Sequence, residues 1–167
     1  MKREFPNQPI REGRTMDDPD FPRIAITYSL DENTDKAKEQ QAEMQGIISE
    51  YNAYYGTAWN LAEIERYNGD INNRLARKKA EFKQFGRHID LVIVVDRLLT
   101  GFDAPTIQTL FVDRNLEYAG LIQAFSRTNR TYPEKTKGLI VTFRKPNTME
   151  KNVEDATILY SKTNEES

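Results

Sequence analysis

The chain has 167 residues, about the length of one domain, which excludes a complete two-domain motor or a synthetase. Its 24 basic and 26 acidic residues give a net charge of −2, so no global positive field indicates nucleic-acid binding. It has no cysteine and one histidine, which excludes disulfides, thiolate zinc and cysteine nucleophiles. No apolar run approaches the roughly 20 residues that span a bilayer. We therefore expect a cytoplasmic protein with no membrane partner and no metal ligands of its own.

The first segments in chain order predict a linker followed by one β–α unit. Residues 1–22 hold four prolines among charged residues, and we predict a linker or part of a neighbouring domain there. A β-rich run from Ile24 to Tyr28 predicts the first strand of a domain that begins near Arg23. Apolar residues at helical spacing follow, and Gly56 is typical of the end of such a helix.

A second helix is predicted between Asp70 and Gly86. Asn68-Gly69 is typical of a turn, and Asp70 can cap a helix at its start. The apolar residues expected on one face of this helix are Ile71, Leu75, Phe82 and Phe85.

This helix is predicted to be strongly positive. Residues 74–87 carry six basic side chains and one acid, whereas residues 31–50 carry six acids and two lysines. A positive helix could follow DNA phosphates, here through Arg74, Arg77 and Lys78, and binding would then depend on salt. A solvated helix face with no ligand explains the same charges.

The second half of the chain alternates strands and helices. The unbroken apolar run within Ile89–Val95 is typical of a strand buried on both faces of a parallel sheet. Further strands are predicted at Ile107–Val112 and Leu139–Phe143, with a helix at Leu116–Thr128 between them and another helix near Val153–Tyr160. This alternation implies an α/β fold with a mostly parallel sheet flanked by helices.

Two segments follow strands, where ligands of open parallel sheets bind. The first is residues 98–105, LLTGFDAP, in which Gly101 permits close backbone approach and Asp103 supplies a fixed acceptor. A tight turn whose Asp bonds its own backbone explains it equally. The second is residues 123–130, QAFSRTNR, in which Gln123, Arg127 and Arg130 are spaced to share one helical face. Such a ridge suits a polyanion, or it is a solvated face favoured by the helix dipole.

Together these two segments resemble motifs V and VI of superfamily 2 helicases and translocases. Residues 23–145 resemble the second RecA-like domain of that superfamily, and the wording of both motifs is most similar to the R (restriction, motor) subunit of type I restriction-modification enzymes. The resemblance implies a three-layer RecA-like (P-loop NTPase-like) domain over residues 23–145. Residues 146–167 would be a polar tail or the start of the next helical segment.

The resemblance also implies a role for each matching residue. Arg127 and Arg130 match the motif VI arginines that reach the ATP γ-phosphate across an interdomain cleft, and Gln123 matches the first polar residue of that motif. Gly101 and Asp103 match the motif V residues that couple the nucleotide to nucleic acid. Thr100, just before them, would contact the nucleic acid.

The implied protein is a motor that needs partners. ATP with Mg²⁺ would be held mainly by a preceding RecA-like domain, because this chain has no phosphate-binding loop of the G-x-x-x-x-G-K-[ST] type. We therefore expect no ATPase and no nuclease activity from the isolated chain. Double-stranded DNA and the methyltransferase and specificity subunits are the other implied partners.

Two alternatives remain open on the sequence. The chain could belong to another superfamily 2 member, such as a type III restriction motor or a DNA repair helicase. It could also be a non-enzymatic α/β adaptor that binds nucleic acid or protein through the positive helix.

Overall fold

The computed structural model describes residues 22–28, 35–95, 103–113, 116, 118–133, 135–143 and 146–165, in two compact units. The first unit lies within Met1–Thr100 and the second within Gly101–Ser167. The first contains strand β1 (Ile24–Tyr28), helices α1 (Asp35–Tyr55) and α2 (Ile64–Leu75) and strand β2 (Leu91–Val95). The second contains β3 (Thr109–Val112), α3 (Tyr118–Thr128), β4 (Leu139–Thr142) and α4 (Pro146–Glu165).

The strands of each unit pair in parallel, as the α/β prediction requires. In the first unit Ile24 is paired with Leu91 and Tyr28 with Val95, so the two strands run in register along their whole length. In the second unit β3 pairs with β4 in the same sense, from Thr109 opposite Leu139 to Val112 opposite Thr142. An α/β fold with short parallel strands is therefore confirmed.

The burial of β2 differs from the prediction made for its apolar run. Leu91 is exposed and Val92–Val94 are half-buried, whereas a strand covered on both faces was expected. Among the described strands β2 pairs with β1 alone, and the described residues leave part of its faces uncovered. A continuous apolar run therefore does not by itself show that both faces of a strand are covered.

Helix α1 agrees closely with its sequence pattern. It ends at Tyr55, and Gly56 follows with a φ of 67°, the left-handed conformation that closes many helices. The amide of Thr57 reaches back to the carbonyl of Asn52 at 3.1 Å, which satisfies one of the last helical acceptors. The side chains that α1 buries recur at helical spacing: Met44, Ile48, Tyr51 and Tyr55.

The start predicted for the second helix is wrong. Helix α2 begins at Ile64, so Asp70 lies in its interior, and Asn68-Gly69 is helical instead of a turn. The hydroxyl of Thr27 donates to the Asn68 side chain at 2.6 Å, and the Tyr67 hydroxyl donates to the carbonyl of Ile26 at 2.8 Å. The bond from Thr27 occupies the Asn68 side chain, which could otherwise stabilise a turn.

The end predicted for this helix, at Gly86, is also wrong. Helix α2 stops at Leu75, and Arg77 adopts a φ of 52° at the position where glycine is usual. The amide of Lys78 then donates to the carbonyl of Asn73 at 3.0 Å, closing the helix as the Gly56 turn closes α1. Residues 77–87 therefore form a loop with one short 3₁₀ turn, Ala80–Lys83, which we call the basic loop.

Arg74, the last basic residue of α2, is held inside the first unit. Its Nε donates to Asp70 at 2.9 Å, one NH donates to the carbonyl of Arg87 at 2.9 Å, and the guanidinium lies 4.2 Å from the centre of the Tyr55 ring. Asp70 also accepts the Tyr51 hydroxyl at 2.7 Å. Burial, followed by the Asp70 charge, raises the pKa of Tyr51, so this phenol remains a donor.

The core of the second unit lies between α3, α4 and one face of the strand pair. Its buried apolar side chains are Ala104, Val112, Leu116, Leu121, Ala124, Met149 and Ala156. The Asn152 side chain donates to the carbonyl of Leu116 at 3.0 Å and so attaches α4 to the segment before α3. Helix α4 extends beyond the predicted helix near Val153–Tyr160 at both ends.

The C-terminus of α3 lies directly against the residue before β4. A Cβ atom on Gly138 would come within 2.4 Å of the carbonyl oxygen of Thr128 and 2.6 Å of its carbonyl carbon. Thr128 itself is 2% exposed, so its backbone has no room to retreat. Only glycine therefore allows the helix and the strand to approach this closely.

We expect Asp70→Asn to lower the free energy of unfolding by about 3 kcal/mol, because the change leaves the buried Arg74 without its carboxylate. Urea denaturation of the chain measures this loss. Glu63→Gln is the matched control, since Glu63 pairs with the exposed Arg66 and should cost less than about 1 kcal/mol. Equal losses in the two variants would contradict the structural role given to Arg74.

Gly138→Ala should lower the free energy of unfolding by about 1–3 kcal/mol, because the added methyl forces the α3 backbone to move. Gly120→Ala, in α3 of the same unit, is the control. A Cβ there would lie 3.5 Å from Leu116, an ordinary contact, and replacing a helical glycine should stabilise by about 0.5–1 kcal/mol. Opposite signs in urea denaturation are expected; a neutral Gly138→Ala would refute the close approach.

Candidate functional site

Helix α3 carries most of the predicted polyanion ridge. Leu121, Ala124 and Thr128 are its fully buried residues and anchor it to the second unit, while Phe125 is 37% exposed. Gln123 is half-buried on the side away from this anchor, and its carbonyl accepts the Ser126 hydroxyl at 2.7 Å.

Arg127 follows on the last turn of α3 and is half-buried. Its Nε is buried and has no hydrogen-bond partner among the residues that the structure describes. A buried donor of a charged group without an acceptor is costly. Arg127 is therefore suited to an acceptor that comes from outside the described residues, and a phosphate oxygen has the required chemistry.

Arg130 lies beyond the helix instead of on it. Helix α3 ends at Thr128, and the amide of Asn129 makes one further helical bond to the carbonyl of Phe125 at 2.8 Å. The continuous helical face predicted for Gln123, Arg127 and Arg130 is therefore interrupted before its last member. The Arg130 guanidinium forms an ion pair with the carboxylate of Asp103, and both side chains are about half exposed.

The segment after Asp103 is fastened at several points. Ala104 is buried, and its carbonyl accepts the amide of Ile107 at 3.0 Å to close a turn. The Lys135 ammonium donates to the carbonyl of Pro105 at 3.0 Å, and burial lowers the pKa of that lysine. The structure thus brings Asp103, from the first predicted segment, onto Arg130 from the second. Thr100 and Gly101 lie outside the described residues.

The predicted nucleic-acid-binding residues lie in the first unit and differ in what they can contact. Arg74 is buried and committed to internal partners, so its guanidinium cannot serve a phosphate, and we do not retain it in a DNA site. Arg77 is partly exposed, 3.9 Å from Asp90, and Lys78 is exposed. Three other basic residues of the basic loop are exposed as well: Lys79, Lys83 and Arg87.

The sequence did not single out Gly138 or Lys135, although both shape this site. Gly138 sets the position of Thr128 between the two arginines, and Lys135 holds the Asp103 segment. A glycine immediately before a predicted strand was the one available signal for the first. Lys135 gave no signal, because its partner is a backbone carbonyl 30 residues away.

Searches for two other kinds of site were confined to the described residues. In that part of the chain no group of three or more His, Cys, Asp or Glu side chains could hold a metal ion. Among the same residues no helix combines the length and apolar character needed to cross a membrane.

Comparison with known proteins identifies the family. A sequence profile described as type I restriction enzyme subunit R domain 3 matches residues 7–145. The chain is 38% identical over 120 residues to the endonuclease subunit of a type I restriction enzyme from Staphylococcus aureus (strain COL), which covers 71% of this chain and 12% of that protein. It is 34% identical over 143 residues to such a subunit from Staphylococcus saprophyticus, covering 83% and 14% respectively.

A shorter stretch is more similar still. Over 47 residues the chain is 64% identical to the N-terminal part of a putative type I restriction enzyme endonuclease subunit from Mycoplasma pneumoniae, covering 28% of this chain and 12% of that protein. The chain thus spans 12–14% of the length of these relatives. The profile spans both segments and all of β1 to β4, which confirms the resemblance to type I restriction enzyme R subunits. On this evidence the chain belongs to the family of type I restriction enzyme R subunits, in its domain 3-like group.

Proposed function

We propose that the chain is part of the ATP-dependent, DNA-translocating motor of a type I restriction-modification endonuclease. In this proposal residues 23–145 form the second RecA-like domain, with the three-layer arrangement implied by the resemblance. The observation that carries the proposal is the chemistry of two neighbouring arginines. Arg127 has a buried Nε without a partner among the described residues, and Arg130 is half exposed beside Asp103.

These residues fit the phosphates of ATP. Guanidinium groups present planar sets of donors that match phosphate oxygens, and in phosphoryl transfer the protein mainly positions groups and neutralises charge. Arg127 and Arg130 would bind the γ-phosphate as arginine fingers, with Gln123 beside them. ATP supplies the transferable phosphoryl group and the free energy that movement along DNA requires. Gly101 and Asp103 would couple the nucleotide to the DNA, which Thr100 would contact.

The rest of the ATP site would come from a preceding RecA-like domain. That domain would supply the phosphate-binding loop and the carboxylates for Mg²⁺, and this chain would complete the site from the other side. The methyltransferase and specificity subunits would be further partners, and the enzyme would work in the cytoplasm on double-stranded DNA. The names of the relatives, which are endonuclease subunits of type I restriction enzymes, support this assembly.

The basic loop is proposed as a contact to the DNA backbone. Its exposed cations project from a segment that the buried Phe82 anchors and that Arg74 fixes through the carbonyl of Arg87. Anchored cations lose less freedom on binding than cations on an unattached tail. Arg77 and Lys78 stay in this proposal, and Lys79, Lys83 and Arg87 join them.

We expect Arg127→Ala and Arg130→Ala, each made in the complete R subunit, to reduce DNA-stimulated ATP turnover by about 10³-fold or more. Binding of an ATP analogue should largely persist, because the preceding domain would hold most of the nucleotide. Arg66→Ala is the matched control, since that side chain is 74% exposed and lies in the first unit. Unchanged turnover in both variants would contradict the arginine-finger role and favour the adaptor.

The double substitution Lys78→Gln with Lys83→Gln should reduce the magnitude of the slope of log K against log salt concentration by about 2 for duplex DNA, because two phosphate contacts are lost. Fluorescence anisotropy across a salt series measures this slope in the complete subunit. Lys38→Gln with Lys151→Gln, at exposed positions of α1 and α4, provides a control with the same change of charge. An unchanged slope would show that the basic loop faces solvent.

A further inference from the structure

Arg130 has a long side chain with little support from its own backbone. It follows the end of α3 by two residues, so no helical turn holds it, and 44% of the side chain is exposed. An arginine in that setting loses considerable rotamer freedom when it must adopt one pose. The carboxylate of Asp103, which is 27 residues earlier in the chain, accepts its terminal NH group.

Asp103 lies at the start of a segment that hydrogen bonds and a buried alanine hold in place. The turn closed between Ala104 and Ile107 follows it directly, and the buried Ala104 anchors that turn. Lys135 binds the carbonyl of Pro105 from the same stretch of chain that carries Arg130. Two contacts, one ionic and one to the backbone, therefore join residues 103–105 to residues 130–135.

The ion pair leaves room for a second acceptor. A guanidinium carries five N–H groups in one plane, and the contact with Asp103 engages a single terminal nitrogen. A carboxylate at one terminal nitrogen limits the movement of the group, and the other N–H groups of this half-exposed side chain can reach a phosphate. Fixing a charged group to within about 0.5 Å of its productive position is what separates an effective site from a loose one.

We propose that Asp103 is the positioning residue for Arg130, and that Lys135 assists by holding the Asp103 segment in place. This inference rests on the proposed function, because it assumes that Arg130 meets a phosphate. Asp103 would touch neither the nucleotide nor its reacting atoms. In ATP turnover it would act through Arg130, by limiting the orientations of the guanidinium before the phosphate arrives.

The test uses the complete R subunit with its methyltransferase and specificity partners, at saturating duplex DNA. Asp103→Asn should lower kcat for ATP about 10-fold and change KM by less than about two-fold, because a mispositioned finger affects the reacting state more than binding. Asp103→Glu should restore part of kcat. Lys135→Met should produce a smaller loss of kcat in the same direction.

A double-mutant cycle separates positioning from other roles. If Asp103 acts through Arg130, adding Asp103→Asn to Arg130→Ala should leave kcat at the value of Arg130→Ala alone. Independent losses that multiply would overturn the inference. A higher kcat or a lower KM in Asp103→Asn would overturn it too, since the carboxylate would then be competing with the phosphate.

Two controls keep the outcomes distinct. Glu154→Gln removes an exposed carboxylate from α4 of the same unit and should leave kcat unchanged. The thermal midpoint of Asp103→Asn should stay close to that of the parent, because half-exposed ion pairs contribute little stability. A large fall would indicate a structural role and overturn the inference.

If Arg130→Ala is inactive while Asp103→Asn is fully active, the inference fails and the proposed function stands. Full activity of Arg127→Ala and Arg130→Ala would remove the proposed function itself.

Discussion

The close approach of Thr128 to Gly138 is the constraint on which the second unit depends. It sets where α3 ends and where β4 begins, and the amide of Leu139 next bonds the carbonyl of Gln108 at 2.8 Å to start the pairing with β3. Because Arg127 and Arg130 flank Thr128, their backbone positions follow from this one contact. The backbone positions of the site therefore depend on packing between backbones, and the Asp103 carboxylate then contacts the Arg130 side chain.

Arg74 in the first unit and Arg127 in the second differ in how many partners their guanidinium groups have. In the first unit Arg74 has a carboxylate, a carbonyl and two aromatic rings around it, which is how a buried guanidinium becomes tolerable. In the second unit Arg127 keeps a buried Nε without a partner among the described residues. An acceptor from a ligand would remove that cost, so Arg127 is a better candidate for a ligand than Arg74.

The sequence predicted the regular elements best where local signals and tertiary contacts agree. The β-branched runs of β1 to β4 and the glycine after α1 are such signals, and each marks an element that the structure contains. The prediction failed at Asn68-Gly69, where side-chain bonds to β1 override a turn preference. It failed again at Arg77, where an arginine takes the conformation that usually identifies a glycine. Both failures depend on partners or backbone angles that sequence spacing does not reveal.

The candidate site was predictable to a different extent. The order of the motifs indicated that Asp103 and Arg130 lie in one region. It did not predict their contact, because Arg130 was expected on a helix that ends at Thr128. The long-range bond from Lys135 to Pro105 had no sequence signal. Residue types thus led to the candidate residues, while the contacts that orient them are seen only in the structure.

On the proposed function, the ion pair also bears on how the charge of the site changes during a catalytic cycle. Two guanidiniums three residues apart repel each other, and the Asp103 carboxylate offsets one of them before any nucleotide binds. Arg130 would keep that partner when the phosphate leaves, so its orientation would not have to be rebuilt at each turnover. Donors that are already oriented cost no reorganisation at the moment of reaction, which is the main advantage of preorganised electrostatics. The Nε of Arg127 has no hydrogen-bond partner among the described residues. Arg127 would then be the arginine whose surroundings change most when a phosphate binds.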